Sequence, residues 1–108
     1  MAHEDGADPR PDVTAAIRGG DTEQAMDGEH EIASASWGQA IFWRETYREI
    51  LTMEEAVMSR VVELMATQSP TARREVELSN VPVIAAQVDR FRSRLGYWEA
   101  RLRELVVP

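Results

Sequence analysis

The last third of the chain carries an unbroken heptad repeat of apolar residues. Successive members are separated alternately by three and four residues, and they are Val81, Ile84, Val88, Phe91, Leu95, Trp98, Leu102 and Leu105. Because an α-helix turns once in about 3.6 residues, this spacing places all eight side chains on one side of a helix. We therefore predict a helix over residues 81–107 whose apolar side must pack against another helix.

A second helical pattern, free of proline, extends over residues 31–67. Its apolar residues keep the heptad spacing, interrupted once by Glu54, and they are Ala40, Trp43, Tyr47, Ile50, Val57, Val61 and Leu64. At about 1.5 Å per residue a helix of this length would be roughly 54 Å long, which is longer than a small globular domain is wide. The pattern therefore predicts a rod-like helix.

Residues 68–80 are predicted to connect the two helices. Ser69 and Pro70 suit the cap and first position of a short helical turn, and a polar run follows them. Pro82 is compatible with the first turn of the last helix, because amides there have no acceptor within the helix. A connector of this length favours two helices that lie antiparallel.

One antiparallel register matches the two apolar patterns over their whole length. The facing pairs in this register include Val57–Val88, Tyr47–Trp98 and Trp43–Leu102. The same register places Arg44 near Glu99 at the side of the pair. The predicted fold class is therefore all-α, with a long, antiparallel, coiled-coil-like helical hairpin over residues 31–108.

Residues 1–30 have the composition of a disordered acidic tail. The first 31 residues hold nine Asp or Glu against Arg10 and Arg18, whereas the remainder holds ten acidic residues and ten arginines. The whole net charge of -7 therefore belongs to the N-terminal segment. Glycine, proline and dense acid with few large apolar side chains cannot bury enough surface to fold alone, so we expect disorder here.

The chain contains no cysteine and no lysine, which excludes several kinds of site. Disulfides, thiolate catalysis and cysteine zinc sites all need cysteine. Schiff-base chemistry and the phosphate-binding P-loop need lysine. His3 and His30, the two histidines, lie in or near the tail, so the helical glutamates lack the Glu-x-x-His of di-metal bundles. We expect no enzymatic activity, no cofactor and no metal.

The sequence shows no apolar stretch of the length that spans a bilayer and no signal-peptide core in its first 30 residues. We expect a cytoplasmic protein without a membrane partner. The lysine-free composition, rich in alanine and arginine, is typical of a GC-rich bacterial coding sequence.

Two helices alone leave part of the first helix uncovered. The residues predicted to form an interaction surface there are Trp37, Ile41, Phe42, Leu51, Met58 and Met65. Large exposed apolar stripes usually mean association, and twofold self-association is its commonest form. We therefore expect a homodimer that forms a four-helix bundle. The alternative is that a different protein of unknown identity covers this surface.

These features indicate a non-catalytic protein–protein interaction module, acting as an adaptor, scaffold or regulatory subunit. The alternative function is a nucleic-acid-associated regulator, in which Arg90, Arg94 and Arg101 of the last helix contact a polyanion. The acidic net charge disfavours binding to nucleic acid, because such binding depends on basic groups that neutralise phosphates.

Overall fold

The computed structural model describes residues 24–106, and its regular secondary structure is helical throughout that range. The helices are α1, Trp37–Met65; α2, Pro70–Leu78; and α3, Asn80–Val106, and a 3₁₀ turn, Ile32–Ser34, precedes them. None of the residues from 24 to 106 forms a β-strand. The predicted all-α class is therefore confirmed. Most of the predicted tail, residues 1–23, lies outside the described residues.

α1 and α3 lie antiparallel, as the two apolar patterns predict. Trp37 at the start of α1 and Val106 at the end of α3 line the same groove. Closer to the connector, the Arg92 guanidinium lies 2.9 Å from the Glu55 carboxylate. The chain is thus a helical hairpin with α2 in its connector.

α1 begins at Trp37, six residues later than predicted, because Ser36 forms a capping box with Gln39. The Ser36 hydroxyl accepts from the Gln39 amide at 3.2 Å, and the Gln39 side chain accepts from the Ser36 amide at 2.9 Å. These reciprocal bonds satisfy two amides that a helix start leaves unpaired. The 29 residues of α1 correspond to roughly 44 Å.

The predicted connector is largely helical. Ser69 caps α2 by accepting from the Ala72 amide at 3.2 Å, with Pro70 at the first helical position. α2 and α3 are separated only by Ser79, whose backbone leaves the helix at φ -118° and ψ -70°. Pro82 accounts for this break, because its ring has no N–H to donate to the carbonyl of Leu78 and would clash with that carbonyl.

The buried core lies in the half of the hairpin remote from the connector. Its residues are Ala35, Ala40, Trp43, Tyr47, Trp98 and Leu102. Nearer the connector the packing is more open, since Val57 is exposed although Val88, its predicted neighbour, is buried. The core is therefore aromatic and concentrated at one end.

The aromatic contacts between the helices differ from the facing pairs predicted from the heptads. Trp43 stacks on Trp98 with ring centroids 6.4 Å apart, and Tyr47 contacts Phe91 at 6.0 Å. A side chain in such a seam packs among several residues of the facing helix, so large rings reach neighbours in other turns. Tyr47 and Trp98, which were predicted to face each other, are joined through Glu29, whose carboxylate accepts a hydrogen bond from each of them.

Candidate functional site

Residues 24–36, which we call the arm, fold back along the hairpin. Gly28 has φ +82°, a left-handed conformation that glycine adopts without a steric cost, and the Glu29 amide donates to the Met26 carbonyl at 3.0 Å. Beyond this turn, Met26 and Ile32 pack against the aromatic core. The end of the predicted tail therefore belongs to the folded structure.

The Glu29 carboxylate is fully buried and accepts four hydrogen bonds. Its Oε1 accepts from the Tyr47 hydroxyl and, at 2.9 Å, from the Met26 amide. Its Oε2 accepts from the Arg94 guanidinium and, at 2.7 Å, from the Trp98 indole N–H. Because a carboxylate offers about four acceptor positions, none is left for a substrate. The arrangement suits an anchor rather than a catalytic base.

Burial and hydrogen bonding fix the ionisation states of this cluster. Burial alone would raise the pKa of Glu29, but hydrogen bonds from Tyr47, Arg94, the Met26 amide and Trp98 outweigh it and lower that pKa. Burial and the hydrogen bond to Glu29 raise the pKa of Tyr47 to about 12. Burial opposes the charge of Arg94, yet the Glu29 carboxylate holds its pKa above the ordinary value. At neutral pH the cluster contains one carboxylate, one guanidinium and one neutral phenol.

His30, the next residue of the arm, extends the contacts to α1. Its Nδ1 accepts from the Trp43 indole N–H at 2.9 Å. A buried indole N–H usually requires an acceptor. The stacked pair Trp43 and Trp98 therefore direct their N–H groups at two consecutive residues of the arm.

Three arginines of α3 bind the arm from one side of that helix. Arg90 Nε donates to the Gln24 carbonyl at 3.2 Å, and Arg101 donates to the Ala35 carbonyl through Nη2 at 2.8 Å and Nε at 3.1 Å. Arg94, between them, binds the carboxylate of the arm. These are the three residues predicted to contact a polyanion. That role stays a prediction, and their contacts with the arm do not favour it.

A row of exposed apolar side chains, which we call the α1 stripe, follows α1 over most of its length. It consists of Phe42, Met53, Val57 and Leu64, whose exposed fractions are 58%, 67%, 44% and 46%. Their separations correspond to about three, one and two turns, so the four lie on one side of the helix. Thr46 shares this side and donates its hydroxyl to the Phe42 carbonyl at 2.8 Å.

The six residues predicted to form an interaction surface lie in different environments. Trp37 and Phe42 are exposed, Leu51 is buried, and Ile41, Met58 and Met65 are half-buried. Met58 lines a groove with Val88 of α3, whereas Val57, its neighbour in the sequence, faces solvent. Around Val57 and Met58, α1 therefore faces α3 with the row one residue on from the predicted one, and Val57 and Leu64 are exposed. At the start of α1, Ala40, Trp43 and Tyr47 are buried, as the predicted orientation requires.

Trp37 also borders an open groove at the end of the hairpin. The groove has a volume of about 670 Å³ and is lined by Trp37, Arg44, Glu99, Leu102, Arg103 and Val106. Arg44 and Glu99 thus lie on the same side of the helix pair, as the predicted register requires. The aromatic residue that opens α1 remains half exposed at this end.

The described part of the chain offers few other kinds of site. Among residues 24–106, no three His, Asp or Glu side chains are placed together so that they could bind a metal ion. Over the same residues, no helix combines the length and the apolar character needed to cross a bilayer. Comparisons with protein-family models, curated proteins and solved structures each found no match. Function must therefore be inferred from the arm and the α1 stripe.

Proposed function

We propose that this protein is a non-catalytic interaction module, an adaptor, scaffold or regulatory subunit, whose α1 stripe binds a second copy of the chain. The observation that carries the proposal is the alignment of four exposed apolar side chains along one helix. Such a surface marks association, because burying one large apolar side chain contributes about 1.5–3 kcal/mol. Contact between two hairpins through α1 would form a four-helix bundle.

The geometry of the stripe supports a twofold contact. From Phe42 to Leu64 it is roughly 33 Å long, and an antiparallel pairing of two α1 helices brings the same row to both sides of the interface. Arg60 lies on this side of the helix, but its guanidinium is 3.5 Å from the Glu63 carboxylate of its own helix. The saturated Glu29 carboxylate supports a non-catalytic role, since it has no acceptor position left for a reacting group.

The oligomeric state of the full chain tests this proposal. Light scattering over a range of micromolar concentrations should give a mass near twice the 12.2 kDa of one chain. The apparent mass should fall towards one chain on dilution, with the helical content largely retained. A mass of one chain at every concentration, together with a cooperative thermal melt, would contradict self-association.

A further inference from the structure

We infer that the twofold axis of the α1–α1 contact passes through Met53, and that Glu49 and Arg60 select a second copy of this chain as the partner. The inference rests on the proposed association through the α1 stripe and specifies the register of that contact. Met53 is the most exposed of the large apolar residues of α1, at 67%. The exposed side of the helix is symmetric about this residue, so it matches the same side of a second copy that lies antiparallel.

The symmetry about Met53 is carried by residues at equal distances along the helix. Phe42 and Leu64, the apolar residues at the two ends of the stripe, lie eleven residues before and after Met53, which is about three helical turns. Glu49 and Val57 lie four residues before and after it. In an antiparallel pair centred on Met53, residues equally far before and after it face each other. Phe42 therefore packs on Leu64 of the second copy at both ends, and Met53 packs on its own counterpart in the middle.

Glu49 and Arg60 give this contact its charge complementarity. Both are exposed, and their separation of eleven residues puts them within about 20° of each other around the helix, on the same edge of the stripe. The antiparallel partner places its Arg60 about 4.5 Å from Glu49 along the helix axis, a distance that the long arginine side chain spans. The twofold axis repeats this pair, so the contact contains two of them. A parallel contact would instead put each residue at the level of its own counterpart, with like charges together.

The two charged groups are available to a partner. Glu49 forms no ion pair with any residue of the described range 24–106. Arg60 lies 3.5 Å from Glu63, but the two side chains are 71% and 70% exposed, so their pair contributes little to stability. A guanidinium has five N–H donors, which leaves others for the partner's carboxylate. Charges beside an apolar seam determine orientation and partner choice, so this arrangement favours a second copy over an unrelated helix.

Single introduced cysteines test the register, because the chain has no cysteine of its own. Met53→Cys should form a disulfide-linked dimer under mild oxidation, since facing Cα atoms of helices packed about 8–10 Å apart lie within reach of a disulfide. Val57→Cys is the matched control on the same stripe. Its counterpart lies roughly 12 Å away along the helix axis, so it should stay unlinked on a non-reducing gel.

The outcomes of the crosslinking separate the register from the association itself. A dimeric wild type in which Met53→Cys does not link, or in which Val57→Cys links as readily, would overturn the register and leave the proposed association standing. A wild type that is monomeric at every concentration would overturn both.

Charge reversal tests the selection of the partner. Glu49→Arg and Arg60→Glu should each raise the dissociation constant of the dimer about tenfold in sedimentation velocity, because the twofold axis turns two attractive pairs into repulsive ones. An equimolar mixture of the two variants should associate about as well as the wild type, since one copy then carries arginine at both positions and the other carries glutamate. Single variants that bind as tightly as the wild type, or a mixture that stays as weak as each variant alone, would overturn the selection by Glu49 and Arg60.

Discussion

Arg94 of α3 and Glu29 of the arm, 65 residues apart in the sequence, form a buried salt bridge. Their side chains are 7% and 0% exposed. Removing one partner of such a pair is costly, because the remaining charge is left without either water or a counter-charge. The arm is therefore part of the hairpin's structure.

The first prediction concerns the stability that Glu29 contributes. Glu29→Ala should lower the free energy of unfolding by about 3–5 kcal/mol, since the buried Arg94 guanidinium would lose the carboxylate that balances its charge. Glu31→Ala is the matched control, because Glu31 belongs to the same arm and is exposed. That control should change stability by less than about 0.5 kcal/mol in urea unfolding followed by circular dichroism. Equal effects of the two substitutions would contradict the anchoring role.

The lowered pKa of Glu29 predicts a loss of stability in acid. The folded state favours the ionised carboxylate, so the stabilisation is present above the ordinary pKa of 4.5 and is lost as the pH falls through the lower folded value. The difference in unfolding free energy between the wild type and Glu29→Gln should therefore be constant near neutral pH and shrink below pH 4.5. A difference that does not change with acidification would be inconsistent with an ionised Glu29.

Tyr47 gives a prediction at alkaline pH. Its pKa of about 12 means that the fold favours the neutral phenol, so stability should decrease as the pH rises from 10 towards 12. In a Tyr97→Phe background Tyr47 is the only tyrosine, and its ionisation can be followed by ultraviolet absorbance. Adding Glu29→Gln should move the midpoint back towards 10, because the neighbouring negative charge is removed. A midpoint near 10 with Glu29 intact would show that the phenol is not buried against the carboxylate.

Local sequence patterns were sufficient for the architecture. The heptads of α3 predicted a buried helical side, and Ser69 with Pro70 predicted the start of a short helix in the connector. The proline at position 82 falls in the first turn of α3, as expected. Such features depend on residues within one or two turns of each other, so periodicity and capping chemistry are enough to find them.

The orientation of α1 around Val57 and the docking of the arm could not be predicted in the same way. Val57 and Met58, like Leu64 and Met65, are adjacent apolar residues, so periodicity alone does not decide which row faces α3. Glu29 is one of nine acidic residues among the first 31, and its partners are distant in sequence. Tyr47 and Trp98 carry a hydroxyl and an indole N–H, which need partners when they are buried, and this is the one signal from which an acceptor could have been expected. Only the fold identifies that acceptor.

Two valines of α1 test the central claim, that the α1 stripe binds a second copy of the chain. Val57 and Val62 are 44% and 56% exposed, but five residues put them about 140° apart around the helix, so only Val57 belongs to the stripe. In sedimentation velocity at matched concentrations, the wild type and Val62→Glu should be dimers. Val57→Glu should raise the dissociation constant of the dimer by about tenfold or more. A monomeric wild type, or equal weakening by both substitutions, would contradict the account.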